Sequence, residues 1–230
     1  MGKDNLQRVE NKVILLWLYD RLRVFVNITL LIFGILCSGQ VLAEKKIKIL
    51  MFGNSLTAGY GLNREDAIPF RLQKTLNKSK TLVSVINGGV SGDTSAGGKS
   101  RLDWSLDVNP DIIVIELGAN DGLRGLRPSS TMANLDFILR ESKRRGIKIL
   151  LTGMKAPPNL GHQYGKAFEE IFPKLAKKYE VLFYPFFLEG VAAIASLNQA
   201  DGIHPNKKGV NVIVKKLIPF LRRLMARGKK

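Results

Sequence analysis

Ser55 lies in the stretch Phe52-Gly53-Asn54-Ser55-Leu56, directly after the apolar run of residues 47–51. A serine hydroxyl becomes a useful nucleophile at neutral pH only beside a base, and histidine is the usual one. The chain offers two histidines, His162 and His204. His162 sits among prolines and glycines at 157–162, with no acid close by in sequence. His204 has Asp201 three residues before it, near enough to orient an imidazole and to stabilise it once protonated. The order Ser…Asp…His is one of several in which this arrangement occurs. Acyl transfer also needs hydrogen-bond donors where an oxyanion develops, and Gly92 and Asn120 are candidates for supplying them. Taken singly, each residue has a bland alternative. Serine at a strand–helix junction caps helices, Asp-x-x-His is often a capped turn, and Gly and Asn are default turn residues.

What could bring these residues together is a series of apolar runs separated by helical patterns. Strands are expected at 48–52, 81–86, 111–117, 147–151 and 181–184, and helices at 66–77, 130–145, 168–179 and 210–225. The run 111–117 (DIIVIEL) is nearly continuous, as in a strand buried on both faces. Alternation of this kind predicts an α/β fold, a three-layer, doubly wound, mostly parallel five-stranded sheet flanked by helices. The polar and glycine residues fall in the loops after the strands, at 53–55, 87–93, 118–121 and 201–204. Open parallel sheets bind ligands at that edge, so their convergence is the main sign of a site.

The blocks Gly53-Asn54-Ser55-Leu56, Gly92, Gly118-Ala119-Asn120-Asp121 and Asp201-Gly202-Ile203-His204-Pro205-Asn206 together resemble the four sequence blocks of the SGNH (GDSL) hydrolases. The secreted bacterial arylesterase and acyl thioesterase/lysophospholipase branch is the most similar, through Gly59-Tyr60-Gly61 and the stretch 164–179 as well. The resemblance spans 46–222 and implies a flavodoxin-like fold and a carboxylic ester hydrolase. It implies Ser55 as nucleophile, His204 as base and Asp201 as orienting acid, with an oxyanion hole from the Ser55 and Gly92 N–H groups and the Asn120 side chain. It implies no cofactor and no metal. One departure stands out: the family's aspartate before the serine is Asn54 here, which keeps a carbonyl acceptor and loses the charge.

Residues 154–164 (MKAPPNLGHQY), stiffened by two prolines, are expected to edge the acyl pocket, with Met154, Pro157 and Tyr164 as substrate contacts. Phe186, Phe187 and Leu188 fit either pocket wall or core. The expected substrate is a small-molecule or lipid ester: an aryl ester, a short or medium acyl ester, a thioester or a lysophospholipid. A carbohydrate or cell-wall O-acetyl esterase shares the chemistry, and a non-catalytic binder of anionic lipid or glycan shares the fold. The segment 92–100 looks like a phosphate-binding loop but has Asp93 where that motif requires glycine.

Thirty-six Lys+Arg against nineteen Asp+Glu give a net charge of +17 in 230 residues. The basic residues are scattered and lack interleaved aromatics, which argues against nucleic acid and leaves weak attraction to an anionic membrane surface. The size suits one domain acting as a monomer. At the N-terminus, Arg21 and Arg23 precede the apolar residues 24–36, and Val41-Leu42-Ala43 precede a charged cluster. That is the pattern of a signal peptide at 1–43, cleaved after Ala43 for a periplasmic or secreted enzyme comprising 44–230, with an uncleaved anchor as the alternative. Loss of the segment removes five basic and three acidic residues, leaving +15, together with the single cysteine, Cys37. A cysteine-free remainder suits an oxidising compartment.

Overall fold

The computed structural model describes residue 12 and residues 16–29, 46–78 and 82–226. The chain divides into two units, Met1–Glu44 and Lys45–Lys230. In the first, residues 16–29 are helical and exposed. The expected cleavage site at 41–43 and Cys37 lie outside the described residues. No described helix is long and apolar enough to cross a membrane.

The second unit begins with β1 (Ile47–Gly53), a one-turn helix α1 (Ser55–Ala58) and α2 (Ile68–Leu76). Then come β2 (Val83–Gly89), the short helices α3 (Ser95–Ser100) and α4 (Leu102–Leu106), and β3 (Ile112–Glu116). After these follow α5 (Ala119–Leu123), α6 (Pro128–Arg144), β4 (Lys148–Thr152), α7 (His162–Glu169) and α8 (Ile171–Tyr179). β5 (Leu182–Tyr184) and α9 (Lys207–Ala226) complete the unit. The five strands are all parallel, in the order β2-β1-β3-β4-β5. β3 is buried along its whole length, because helices cover both faces of the sheet. α2 packs on α9 in one layer, while α6 packs on α3 and α8 in the other. Right-handed crossovers explain the split: the chain runs from β1 to β2 in one direction and from β2 through β5 in the other. The core combines Ile49–Phe52 and Ile112–Ile115 with Leu72, Leu139, Leu175 and Leu217 from the two helical layers.

Several expectations needed adjustment. The short helices α1, α3, α4 and α5 lie in stretches to which the sequence assigned neither a strand nor a helix. The helix expected at 168–179 starts earlier, at His162, and breaks into α7 and α8 at Glu170. Pro173 is the cause, since it has no N–H to offer the carbonyl of Glu169. The first long helix starts at Ile68 after a 3₁₀ turn at Arg64–Asp66, with Pro69 in its first turn, where a missing N–H costs nothing.

Sequence order reverses beside β1: its neighbours are β2 and β3, and the crossovers leave on opposite faces. Crevices open at the carboxyl ends of strands at such a point. Ser55 follows β1 and Asn120 follows β3.

Candidate active site

β1 ends on Gly53 because nothing larger fits. A Cβ there would lie 2.2 Å from the Thr57 hydroxyl and 2.4 Å from the Glu116 carboxylate. Asn54 is fully buried and caps α1, its Oδ1 accepting the Leu56 N–H at 3.0 Å. Ser55 therefore opens the helix, and its own N–H has no partner within it.

From the far end of the chain, His204 Nε2 stands 2.9 Å from Ser55 Oγ. Its Nδ1 lies 2.7 Å from Asp201 Oδ2, while Asp201 Oδ1 accepts the N–H groups of Ile203 and His204, each at 3.0 Å. These donors, the His204 backbone N–H first and then the His204 ring, hold the Asp201 carboxyl down at about 2. An ionised Asp201 accepts a hydrogen bond from Nδ1–H and turns the Nε2 lone pair toward the serine hydroxyl. The Tyr60 ring packs against the imidazole, centroids 4.6 Å apart. Gln199 ties the two loops together, donating from Nε2 to the Tyr60 carbonyl at 2.8 Å and to the Pro205 carbonyl at 3.1 Å. Asn206 holds the loop to α9, its Oδ1 accepting the N–H groups of Lys208 and Gly209 at 2.9 and 3.2 Å.

Gly92 and Asn120 line the same cavity as Ser55 and His204. Gly92 has φ +84°, a conformation that favours glycine, and its carbonyl accepts Arg124 Nη2 at 3.0 Å. Asn120 Nδ2 donates to the Asp93 carbonyl at 2.8 Å. That bond uses one of its two amide hydrogens and fixes the direction of the other. Asp121, next in the chain, is buried and accepts the backbone N–H and hydroxyl of Ser95 and the hydroxyl of Thr131, fastening the Asn120 loop to α3 and α6. With the Ser55 N–H, these donors can stabilise an oxyanion on a carbon attacked by Ser55.

The cavity is about 610 Å³ and mainly apolar, with Leu123, Met154, Pro157, Phe186, Leu188 and Ala192 among its walls. Met154 and Pro157, two of the three expected substrate contacts, line the cavity. Tyr164 does not. From α7 its hydroxyl donates to the Leu126 carbonyl at 2.7 Å and its ring stacks on Phe168, so it braces the loop after α5 and lines no part of the cavity. Of the aromatic pair at 186–187, Phe186 faces the cavity and Phe187 is fully buried in the core. His162 opens α7 and lines a separate hollow with Gly161, Gly165 and Glu169.

One residue at the site was passed over in the sequence. Glu116 ends β3 with a completely buried side chain. It accepts three hydrogen bonds: from Asn54 Nδ2 at 2.8 Å, Thr57 Oγ1 at 2.8 Å and the Asn54 N–H at 3.2 Å. Burial pushes its carboxyl up to about 7, against the pull of those donors. The signal was a lone acid closing an otherwise apolar strand. Among the described residues no group of three or more His, Cys, Asp or Glu could hold a metal ion.

Residues 51–212 match the GDSL-like Lipase/Acylhydrolase family. The chain is 38% identical to Esterase TesA of Pseudomonas aeruginosa over 77% of its own length and 89% of that protein's. It is 41% identical to Thioesterase 1/protease 1/lysophospholipase L1 of Escherichia coli K12, over 69% of this chain and 76% of that one. The crystal structure of the psychrotrophic esterase EstA from Pseudoalteromonas, inhibited by monoethylphosphonate, superposes with a TM-score of 0.74 at 32% identity, covering 78% of this chain and 98% of that one. With a parallel sheet in the order β2-β1-β3-β4-β5 and a Ser–His–Asp chain of hydrogen bonds at its carboxyl edge, this protein belongs to the GDSL-like lipase/acylhydrolase family of SGNH hydrolases.

Proposed function

We propose that this enzyme hydrolyses carboxylic esters and thioesters through an acyl-enzyme on Ser55. The observation that carries the proposal is the 2.9 Å contact between His204 Nε2 and Ser55 Oγ, backed by Asp201. His204 takes the hydroxyl proton as Oγ bonds the acyl carbon, and the imidazolium is stabilised by Asp201. The carbonyl oxygen becomes an oxyanion facing the Ser55 and Gly92 N–H groups and the Asn120 amide. The tetrahedral intermediate then collapses and the leaving group departs, an alkoxide taking up the proton from His204, while a phenoxide or thiolate that leaves unprotonated obliges His204 to give that proton to solvent. A water then enters, gives its proton to His204 and attacks the acyl carbon. Collapse of the second tetrahedral intermediate returns the proton to Ser55 and releases the carboxylic acid.

The apolar walls support a hydrocarbon acyl chain, and the cavity size suits a small-molecule or single-chain lipid substrate. The rim supports esters held at a lipid surface. Tyr60, Leu123 and Ile203 line the cavity yet stand about half exposed, at 54%, 48% and 49%. Val90, Leu126 and Ile194 project from neighbouring stretches of the same loops. Exposed Arg124, Arg127 and Lys155 lie among them, a combination suited to an interface carrying anionic headgroups. The basic-then-apolar N-terminal pattern and the absence of cysteine after Cys37 support export.

The test is hydrolysis of p-nitrophenyl esters from acetyl to palmitoyl by the enzyme and its Ser55→Ala variant. The expected result is a rate that varies with chain length in the parent and falls by at least about 10³-fold in the variant. Equal rates in the two proteins would remove Ser55 from the mechanism. A monoalkylphosphonate ester should inactivate the parent by adding one phosphonyl group to Ser55.

A further inference from the structure

Glu116 takes no part in the proton transfers above, yet all three of its hydrogen-bond donors come from the turn that presents the nucleophile. Oε1 accepts from Asn54 Nδ2, and Oε2 accepts from the Thr57 hydroxyl and the Asn54 N–H. Two of these three bonds end on Asn54, the residue joined to Ser55, whose own Oδ1 caps α1 and lies 3.5 Å from Ser55 Oγ. Gly53 lets the carboxylate approach this closely.

We infer that Glu116 is a positioning residue for the ester hydrolase proposed above, acting in its ionised form. A carboxylate can accept every hydrogen bond the turn offers. A protonated carboxyl cannot, because one oxygen becomes a donor. The Thr57 hydroxyl can rotate to accept that proton. The Asn54 amide and backbone N–H cannot reverse, so the backbone N–H before Ser55 loses much of its acceptor. An unsatisfied buried N–H is costly, and the turn relaxes to reduce that cost.

The identity of residue 54 belongs to the same device. An aspartate would set a second carboxylate beside Glu116, where both cannot be ionised at moderate cost, and the pair would share a proton. Asn54 donates to Glu116 instead and allows it to carry its charge without one. The other charged groups around the turn are already engaged. Arg101 donates to the Gly53 carbonyl at 2.9 Å and pairs with Asp93 at 2.6 Å, and Asp201 is bonded to His204. Asp121, beyond the end of β3, is bonded to Ser95 and Thr131. The carboxyl pushed up to about 7 by burial places this second protonation in the working pH range.

The experiment is the pH dependence of kcat/KM and kcat on a soluble short-chain ester, for the parent enzyme, Glu116→Gln and Asn54→Asp. With His204 and Glu116 both needing to lose a proton, log kcat/KM in the parent should climb with a limiting slope of two on the acid side. Glu116→Gln cannot ionise and places an amide donor against a donor. Its slope should fall to one, with kcat about ten- to a hundredfold lower at alkaline pH and KM nearly unchanged. Asn54→Asp should acquire an alkaline limb, as the proton shared by the two carboxylates is lost. A parent slope of one, or a Glu116→Gln variant with the parent's kcat, overturns the inference. If Glu116→Gln does not fold, the parent slope and Asn54→Asp decide it. Failure here is distinguishable from failure of the mechanism, because a parent that loses its activity with Ser55→Ala still has its nucleophile.

Discussion

Glu116 is expected to leave a second mark, on stability. Its folded-state carboxyl is raised to about 7 from an ordinary 4.5, so as pH rises the unfolded chain ionises first. Between those values the native state holds the extra proton, and stability falls as pH increases. The contribution is fully present below about 4.5 and gone above about 7. Across that window, the difference in unfolding free energy between the parent and Glu116→Gln should change by on the order of 3 kcal/mol, read from urea titrations. A difference that stays constant with pH would mean that Glu116 does not titrate there. The active form of the turn is thus also its less stable form, a common exchange at functional sites. Ser55, Asp201 and His204 were legible in the sequence because they fall, with Gly92 and Asn120, in polar loops between the apolar runs, in blocks that together resemble a family pattern. Glu116 was not, because its meaning lies in partners 59 and 62 residues away. Tyr164 misled for the converse reason: an aromatic beside a cavity-lining segment can turn its ring to the other side of a helix.

At the scale of elements, the apolar periodicity located all five strands and the long helices, since those patterns directly record which face is buried. The helices of four to six residues left no such record, because one turn cannot establish a period. α1 depends on its cap and on the Glu116 contacts, and α5 on its place between β3 and α6. The start of α9 also rests on a cap. Asn206 accepts two N–H groups of its first turn and donates from Nδ2 to the carbonyls of Ser196 and Asn198, both at 3.0 Å. Asn206→Ala should lower the unfolding free energy by about 1–2 kcal/mol, seen as a lower urea midpoint with unchanged m. An unchanged midpoint would show that the loop's other bonds hold the helix end without it.

At the scale of the molecule, six of the exposed large apolar side chains line the cavity or stand within three residues of one that does. Replacing Val90, Leu126 and Ile194 together by Asp should leave hydrolysis of a soluble short ester within about twofold. It should lower binding to phosphatidylglycerol vesicles, and hydrolysis of an ester carried in them, by about tenfold or more. Equal rates on vesicles would mean that the rim takes no part in reaching substrate. The site behind that rim joins residues 149 apart in the chain, and Gln199 closes a span of 139 to hold their loops together. Contacts of such separation carry the largest loop-closure entropy and form late. During synthesis the serine emerges long before its base, so a growing or still unfolded chain is chemically idle. The ability to cleave esters switches on only when residues 199–206 dock beside Ser55, so activity itself reports that the far end of the chain has folded onto the near one.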